Sequence, residues 1–419
     1  MNKKNALYAQ SGGVTAVINA SATGVIHACR KHSNVIGKLF ASQNGILGVM
    51  QEELFDTNTI SNDDLTKIMN SPGAVFGSCR YKLDNIQQNK DQYRRIVDVF
   101  SAYDIEYFFY NGGNDSADTC LKISQISQEM GYPIKAIHIP KTIDNDLVIT
   151  DNCPGFGSVA KYVAISTLEA SYDLKSMYKT STKVFIMEVM GRNAGWIAAS
   201  TGIVNYRYNI GPHIILLPEV VFNETLFLIK VEQTIKEFGY CVIVASEGIK
   251  KENSKLLSSC GSLDSFGHIK LGGVANVLAD MVGKNLKYKC HYSIIDYLQR
   301  SARHIISKTD LEQSYSVGFT GVEYAISGMN SVMPYIKRIS QEPYLWDIDY
   351  APLSLIANKE KFMSSDFISQ DGFNITQKCY DYILPLIDKE EYPIYKNGLP
   401  EYYILNQNIL PKKLKEFGK

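Results

Sequence analysis

Short apolar runs recur along this chain, and each leads through a glycine-rich turn into a helix-like segment. Residues 7–9 are followed by such a turn and by residues 15–29, and residues 105–110 by residues 117–130. The pattern starts again at residues 184–189. Repeated strand–turn–helix units predict α/β lobes with mostly parallel sheets and helices on both faces. Right-handed crossovers would bring these turns to the same edge of each sheet.

The number of units suits two lobes in a chain of 419 residues. We predict two Rossmann-like lobes, residues 1–155 and 156–330, with an active site in the cleft between them. A boundary in the less regular residues 172–182 is the alternative. Residues 331–419 are polar, rich in tyrosine and weakly periodic. They are interpreted as a C-terminal extension that packs on the two lobes.

Residues 140–146, directly after the apolar run 134–139, hold a cation, a hydroxyl and two carboxylates that could take part in catalysis. In open α/β sheets, ligands bind at the edge where such a strand ends. Asp144 and Asp146 would share one face of an extended chain. One carboxylate could take a proton from a hydroxyl while Lys141 faces an anion, as phosphoryl transfer requires. A simple turn is the alternative, since Asp and Asn also favour turns.

Two of the turns carry adjacent glycines, Gly12-Gly13 and Gly112-Gly113. Glycines let backbone N–H groups approach a phosphate, and the following helix N-terminus favours its charge. They could equally serve only to close a tight turn. Neither turn fits the P-loop or the dinucleotide-binding pattern.

Basic side chains that could neutralise phosphate lie beside the turns, at Arg80, Lys141, Arg192 and Arg300. Arginine grips phosphate through two parallel N–H bonds. Glu247 ends another apolar run and could accept hydrogen bonds from sugar hydroxyls, or it could simply begin a helix.

Composition excludes several classes of protein. Lys plus Arg and Asp plus Glu both number 43, so no global field favours nucleic acid or a membrane surface. No apolar run is long enough to span a bilayer, and the first residues lack the apolar core of a signal peptide. The eight cysteines form no CxxC pair, which suits reduced thiols. We therefore expect a cytoplasmic protein.

Together these motifs resemble those of the phosphofructokinase family, over about residues 6–330. The markers are Ser11-Gly12-Gly13, Phe76-Gly77-Ser78-Cys79-Arg80, Gly112-Gly113-Asn114-Asp115-Ser116, residues 140–146, Met187-Glu188-Val189-Met190-Gly191-Arg192, Glu247-Gly248 and Tyr297-Leu298-Gln299-Arg300. The resemblance implies Mg²⁺-assisted phosphoryl transfer to O1 of fructose 6-phosphate. It also implies a homodimer, because active sites of this family borrow groups across a subunit interface.

The resemblance also implies roles for single residues. Asp144 matches the proton acceptor for the O1 hydroxyl, and Asn114 stands where most members have an Asp near the magnesium. Donor phosphate binding would involve Gly13, Arg80, Gly113 and Ser116. The sugar phosphate would be bound by Thr142, Ile143, Asp144, Met190, Gly191, Arg192, Glu247, Tyr297, Leu298, Gln299 and Arg300.

Two positions indicate the phosphoryl donor. Asp115 and Lys141 together look like the pyrophosphate-dependent branch, since ATP-using members typically have small residues there. An Asp side chain in the donor turn would repel an α-phosphate, and Lys141 would stabilise charge on the departing phosphate. The alternatives are an ATP-dependent phosphofructokinase, an acceptor such as sedoheptulose 7-phosphate, and an inactive regulatory subunit.

Overall fold

A computed structural model describes residues 3–84, 86–87, 89–258, 271–406 and 408–418. The strands are β1 (Lys4–Ser11), β2 (Ile36–Ser42), β3 (Leu54–Asp56), β4 (Ser78–Cys79), β5 (Ile105–Gly112), β6 (Lys135–Pro140), β7 (Val184–Val189), β8 (Ile214–Leu216), β9 (Cys241–Ser246), β10 (Cys290–Ile294), β11 (Val332–Ser340), β12 (Leu345–Pro352), β13 (Tyr395–Lys396) and β14 (Leu399–Pro400).

The helices alternate with the strands through most of the chain. They are α1 (Ile18–Lys31), α2 (Gly45–Gln51), α3 (Asn62–Met69), α4 (Lys90–Ala102), α5 (Asn114–Glu129), α6 (Phe156–Met177), α7 (Trp196–Ser200), α8 (Ile203–Tyr208), α9 (Glu224–Phe238), α10 (Val274–Leu286), α11 (Leu298–Ser301), α12 (Lys308–Ile326) and α13 (Gln377–Ile383).

The larger sheet has the strand order β12-β11-β6-β5-β1-β2-β3, with β4 paired to β1. Its central pairs are parallel, and only β2–β3 and β11–β12 are antiparallel. The smaller sheet, β10-β7-β9-β8, is parallel throughout. The predicted α/β architecture with two mostly parallel sheets is confirmed.

The apolar runs become strands because both faces of the larger sheet are covered. On β5, Phe108 and Tyr110 enter one hydrophobic core, and Tyr107 and Phe109 enter the core on the opposite face. Near-continuous apolar sequence is what such a strand requires. The sheet therefore holds the turns at its carboxyl edge rigidly in place.

Helix α12 packs closely on α1, and two glycines make this possible. A Cβ at Gly24 would lie 2.2 Å from the Tyr315 carbonyl oxygen, and one at Gly318 would lie 2.2 Å from that of Ser21. The backbones could not approach this closely with any larger residue.

Residues beyond 330 do more than pack against the lobes, since β11 and β12 add a hairpin to the larger sheet. Their weak periodicity reflects an edge position, where much of β12 is exposed. The predicted lobe limits at residues 155 and 330 stay a prediction. Among the described residues, no helix has both the length and the apolar character needed to cross a bilayer.

Candidate active site

A cavity of about 970 Å³ lies where turns from both sheets face each other. It is lined by most of the residues that the sequence singles out, namely Gly13, Arg80, Gly113, Asn114, Asp115, Ser116, Lys141, Thr142, Ile143, Asp144, Met190, Arg192, Glu247, Tyr297 and Arg300. Strands that are far apart in the sequence thus deliver these side chains to one space, as expected at the carboxyl edge of parallel sheets.

The turn after β1 is fixed by its short neighbour β4. The Gly12 amide donates to the Cys79 carbonyl oxygen at 2.9 Å, and the Ser78 hydroxyl donates to the Gly12 carbonyl oxygen at 2.8 Å. This pairing places Arg80 beside the glycines. A Cβ on Gly13 would lie 3.1 Å from Nη1 of Arg300 and 3.4 Å from Nη2 of Arg80. Two guanidinium groups therefore converge over Gly13, which makes this surface suited to an anion.

The second glycine turn begins α5, with Gly113 as its N-terminal cap. The Ser116 hydroxyl donates to the Ser11 hydroxyl oxygen at 2.9 Å and so ties this turn to the first one. Asp115, in the first turn of α5, forms an ion pair with Lys82 at 3.3 Å. The helix N-terminus favours anions, while the Asp115 carboxylate limits how much phosphate can lie there.

Lys141 is 3 % exposed and lies between the two glycine turns. Its Nζ donates to the Gly13 carbonyl oxygen at 2.5 Å, and its backbone N–H donates to that of Gly112 at 2.9 Å. Burial lowers the pKa of the Lys141 ammonium to about 8, against the opposing attraction of Asp144. The side chain is a positioned cation whose charge is adjustable near neutral pH.

Asp144 lies on a tight turn that Asn145 stabilises. Asn145 adopts a left-handed conformation, with φ of 55°, and its amide is fully buried. Its oxygen accepts from the Cys153 N–H at 2.9 Å, and its nitrogen donates to the Tyr382 hydroxyl at 2.9 Å. The Asp144 carboxylate can therefore face the cavity without contributing to the turn itself.

The surroundings of Asp144 favour its protonated form. Burial, followed by repulsion from Asp146 and Glu247, raises the pKa of the Asp144 carboxyl to about 7, although Lys141 and Arg192 oppose this shift. A carboxyl group with a pKa near the operating pH is matched to general-base catalysis.

The opposite wall comes from the second lobe. The Ser246 hydroxyl donates to the Gly191 carbonyl oxygen at 2.6 Å, and the Gly191 N–H donates to Oε1 of Glu247 at 3.4 Å. A Cβ at Gly248 would lie 2.0 Å from the Arg192 carbonyl oxygen, so only glycine fits beneath this turn. Burial raises the pKa of the Glu247 carboxyl.

The segment 297–300 contributes unequally to the cavity. The Arg300 guanidinium stacks 3.6 Å from the centre of the Tyr297 ring, and both side chains line the cavity. Gln299 is buried, and its Oε1 accepts from the Met190 N–H at 3.1 Å. Leu298 is 65 % exposed. Gln299, Leu298 and Gly191 are not among the cavity-lining residues, and Gln299 and Gly191 instead support the wall.

The possible magnesium ligands are carboxylates and one amide. Oδ1 of Asp146 is buried and has no hydrogen-bond partner among the described residues. Both polar ends of the Asn114 amide are engaged, because its oxygen accepts from the Asn358 N–H at 2.7 Å and its nitrogen donates to the Lys359 carbonyl oxygen. The described part of the chain holds no cluster of three or more His, Cys, Asp or Glu suited to a metal. The metal-binding role of Asn114 stays a prediction.

Sequence reasoning missed several residues of the cavity wall. Asn358, Glu360 and Phe362 come from the C-terminal extension, and Asn193 and Asp296 come from the second lobe. Residues 358–362 belong to no recognisable motif and follow a hairpin strand that the sequence pattern did not reveal, so no local signal identified them. Asp296 lies next to Tyr297 and could have been found by extending that motif.

The chemistry available in this cavity is that of a phosphotransferase. Its glycine turns and converging cations suit phosphate groups, while a carboxylate with a raised pKa suits the hydroxyl that would receive one. Both groups follow strands of the larger sheet, and Arg192 and Glu247 face them from the ends of strands of the smaller sheet.

Sequence comparison identifies the family of phosphotransferases to which the chain belongs. The family model described as phosphofructokinase matches residues 5–319, and the chain belongs to the phosphofructokinase family. It is 55 % identical over 417 residues to a pyrophosphate–fructose 6-phosphate 1-phosphotransferase of Halomonas elongata, covering all of both chains. It is 51 % identical over 416 residues to the protein of that name from Xanthomonas campestris, covering 99 % of each.

A solved structure agrees with this assignment. The crystal structure of a pyrophosphate-dependent phosphofructokinase from Nitrosospira multiformis is 54 % identical in sequence and superposes with a TM-score of 0.92. The match covers 99 % of this chain and all of the other.

Proposed function

We propose that this chain catalyses reversible phosphoryl transfer from pyrophosphate to O1 of fructose 6-phosphate, giving fructose 1,6-bisphosphate and phosphate. The observation that carries the proposal is the placement of Lys141 and Asp144 in one cavity, one on the donor turns and the other facing the second lobe. Relatives with over half of their residues identical bear the corresponding name over their full length.

In the proposed reaction, pyrophosphate lies across the Gly13 and Gly113 turns and the sugar phosphate lies against the second lobe. Asp144 takes the O1 proton as O1 forms a bond to the nearer phosphorus. The bond from that phosphorus to the bridging oxygen breaks, and its electron pair leaves with the departing phosphate. Lys141 stabilises the charge that develops on the transferring and leaving groups. Because the bond broken and the bond formed are of similar energy, the reaction runs in both directions.

The sugar phosphate is assigned to the second lobe and the segment after β10. Thr142, Ile143, Met190 and Gly191 border the sugar, and Glu247 accepts from its hydroxyls. Arg192 and the Tyr297–Arg300 segment attract its 6-phosphate. A guanidinium stacked on an aromatic ring is held in orientation, which lowers the entropy lost on binding phosphate.

The donor set fits Mg²⁺, which usually takes one or two protein carboxylates and completes its shell with water and substrate phosphates. Asp146, whose buried Oδ1 has no hydrogen-bond partner among the described residues, is the carboxylate best placed to hold it. The sequence predicts Asn114 as a further ligand, but both polar ends of its amide are already bonded to residues 358 and 359. When bound with pyrophosphate, the ion neutralises phosphate charge and orients the donor.

The alternatives are weaker. An inactive regulatory subunit would have no need of Asp144, Arg192, Glu247 and Arg300 together in one cavity. An ATP donor conflicts with the Asp115 carboxylate at the start of α5. Sedoheptulose 7-phosphate, as a further acceptor, is a longer sugar phosphate. The shape of the pocket would decide whether the site accepts it.

The test is an assay of fructose 6-phosphate phosphorylation by the purified protein with Mg²⁺, with pyrophosphate and ATP offered in parallel. We expect turnover with pyrophosphate and only background with ATP. Turnover with ATP alone would overturn the donor assignment, and inactivity with both would overturn the proposed reaction. Sedoheptulose 7-phosphate in a third reaction measures the breadth of the acceptor site.

The pH dependence of kcat/KM should be bell-shaped, with limbs near pH 7 and pH 8. Asp144 accepts a proton only when ionised, and its raised pKa of about 7 means that activity falls as pH drops below that value. Lys141 acts only when protonated, and its lowered pKa of about 8 means that activity falls as pH rises above it.

Lys141→Arg separates the two limbs, because a guanidinium stays charged throughout this range. Its profile should keep the acid limb and lose the alkaline limb, whatever the absolute rate. An alkaline limb unchanged in this variant would show that another group causes it.

We also infer a homodimer in the cytoplasm. The edge strand β10 exposes Tyr292 and Ile294, and exposed Leu298 follows beside the cavity. An exposed edge with apolar side chains is a ready surface for a second copy. Light scattering should give twice the 46.9 kDa mass of one chain, and a monomeric mass would contradict the dimer.

The cysteines that the structure describes are free thiols, as in a reducing compartment.

A further inference from the structure

Residues 358–363 of the C-terminal extension run along the cavity wall, and we call them the cleft strap. Asn358, Glu360 and Phe362 line the cavity. The strap follows the β11–β12 hairpin, so it reaches the cavity from the far edge of the larger sheet. Nothing in the phosphate and sugar sites described above requires such a segment.

One end of the strap is held at the start of α5. The Asn358 N–H donates to Oδ1 of Asn114 at 2.7 Å, and Nδ2 of Asn114 donates to the Lys359 carbonyl oxygen. The Asn358 side chain donates to Oδ1 of Asp118, one turn further along the helix, at 3.0 Å. The strap thus covers the first turn of the helix whose N-terminus faces the donor.

The other end is held by the segment that carries Asp144. The Lys361 N–H donates to the Asp146 carbonyl oxygen at 2.7 Å. The Lys361 ammonium donates to the carbonyl oxygens of Thr150 at 3.1 Å and Asp151 at 2.9 Å. Met363 is 4 % exposed and lies in the core of the second lobe.

Between these ends the strap also reaches the facing lobe. Both carboxylate oxygens of Glu360 accept from Nδ2 of Asn193, at 3.3 and 3.1 Å. The strap therefore joins the start of α5, the segment after β6 that carries Asp144, and the second lobe. Its position is fixed independently by each of them.

At position 114, an amide side chain can make both of the hydrogen bonds that hold the strap. The side chain must accept from one backbone N–H and donate to one backbone carbonyl, and asparagine can do both. An aspartate would keep the first bond but set a carboxylate oxygen against the Lys359 carbonyl oxygen. The loss of that donor leaves the exposed Lys359 carbonyl to water and adds repulsion between two oxygens, so the strap is held less firmly.

We propose that Asn114 is a positioning residue that holds the cleft strap over the start of α5, and that the strap determines which donors the site accepts. A pyrophosphate fits between the glycine turns and the strap. A donor with a further phosphate and a nucleoside would have to extend past Asn358, where the strap is bonded to Asn114 and Asp118. This inference rests on the proposed use of pyrophosphate.

The decisive variant is Asn114→Asp, measured by steady-state kinetics and by limited trypsin digestion. We expect the KM for pyrophosphate to rise about fivefold, as for the net loss of one solvent-exposed hydrogen bond, while the KM for fructose 6-phosphate stays within about twofold. Cleavage after Lys359, followed by mass spectrometry, should accelerate about tenfold because the strap detaches more often.

Two further variants make the test selective. Asn358→Gly suits the left-handed backbone at that position, where φ is 61°, and removes only the bond to Asp118. It should accelerate the same cleavage to a smaller extent, and it decides the question if Asn114→Asp does not fold. Asn253→Asp is the matched control, because this side chain is exposed and its oxygen, which the change keeps, accepts from the Lys255 N–H. It should change neither readout.

The outcomes are distinct. If Asn114→Asp leaves both the KM for pyrophosphate and the cleavage rate unchanged, the inference is wrong. If it lowers the Mg²⁺ concentration needed for half-maximal activity without loosening the strap, position 114 serves the metal and the inference is also wrong. Use of ATP by the unaltered protein would also overturn the donor limit. Absence of any turnover would refute the proposed function, and the cleavage rates would still decide whether Asn114 anchors the strap.

Discussion

Replacement of Asp144 by serine should lower kcat by about 10² to 10⁴, the usual contribution of a positioned general base. The carboxylate lies in the cavity on a turn fixed by Asn145, and its raised pKa of about 7 suits proton transfer at neutral pH. Serine fills less space and carries no charge at this pH, so the O1 proton loses its acceptor. Steady-state kinetics with pyrophosphate as the donor would measure the loss.

The binding of fructose 6-phosphate should survive this change, because Arg192, Glu247 and Arg300 are left intact. Calorimetric titration of the variant with the sugar phosphate checks that point. Asp98→Ser, on the exposed side of α4, is the control and should retain full activity. An Asp144→Ser variant with kcat within threefold of the parent would remove Asp144 from the role of base.

Replacement of Lys141 by methionine should lower pyrophosphate-driven kcat by about 10² to 10³, the range for removing one preorganised electrostatic contact to the transition state. Methionine is similar in length and keeps the apolar contacts of the buried stem, but it carries no charge. The Lys141 ammonium lies next to the Gly13 carbonyl, where the leaving phosphate would build up charge.

Lys135→Met is the matched control, since Lys135 begins β6, the strand that Lys141 follows, and does not line the cavity. The catalytic efficiency of the reverse reaction, from fructose 1,6-bisphosphate and phosphate, should fall in Lys141→Met by the same factor as that of the forward reaction, because both directions share one transition state. A normal rate in either direction would exclude Lys141 from the mechanism.

The alternating units of the fold were predictable because they depend on local patterns. Val184–Val189 was predicted with its observed limits, and β5 and β6 were predicted to within one or two residues at each end. Such strands are buried on both faces, so their sequences are continuously apolar. The strands β11 and β12 were missed, since an edge hairpin with exposed side chains carries no such run.

The cavity was predictable wherever a residue follows a strand. Gly13 and Asp144 come shortly after strands β1 and β6 of the larger sheet, and Arg192 and Glu247 come shortly after β7 and β9 of the smaller one. The rule that such ends meet at one edge groups the residues within each sheet, but it does not bring the two edges together. Residues that reach the cavity from elsewhere, such as Glu360, could not be grouped in this way.

The sequence alone therefore determined the α/β class, the glycine turns that line the cavity and the chemical identity of the groups in the cleft. These depend on residue type and short spacing, which a sequence displays directly. The tertiary structure decided how those groups are tuned and enclosed. The pKa of Asp144 depends on burial and on Glu247, which is 103 positions away in the chain. The position of the cleft strap depends on a hydrogen bond between Asn114 and Asn358, which are 244 positions apart. No local pattern encodes such a distance, because only the packing of the whole chain brings these residues together.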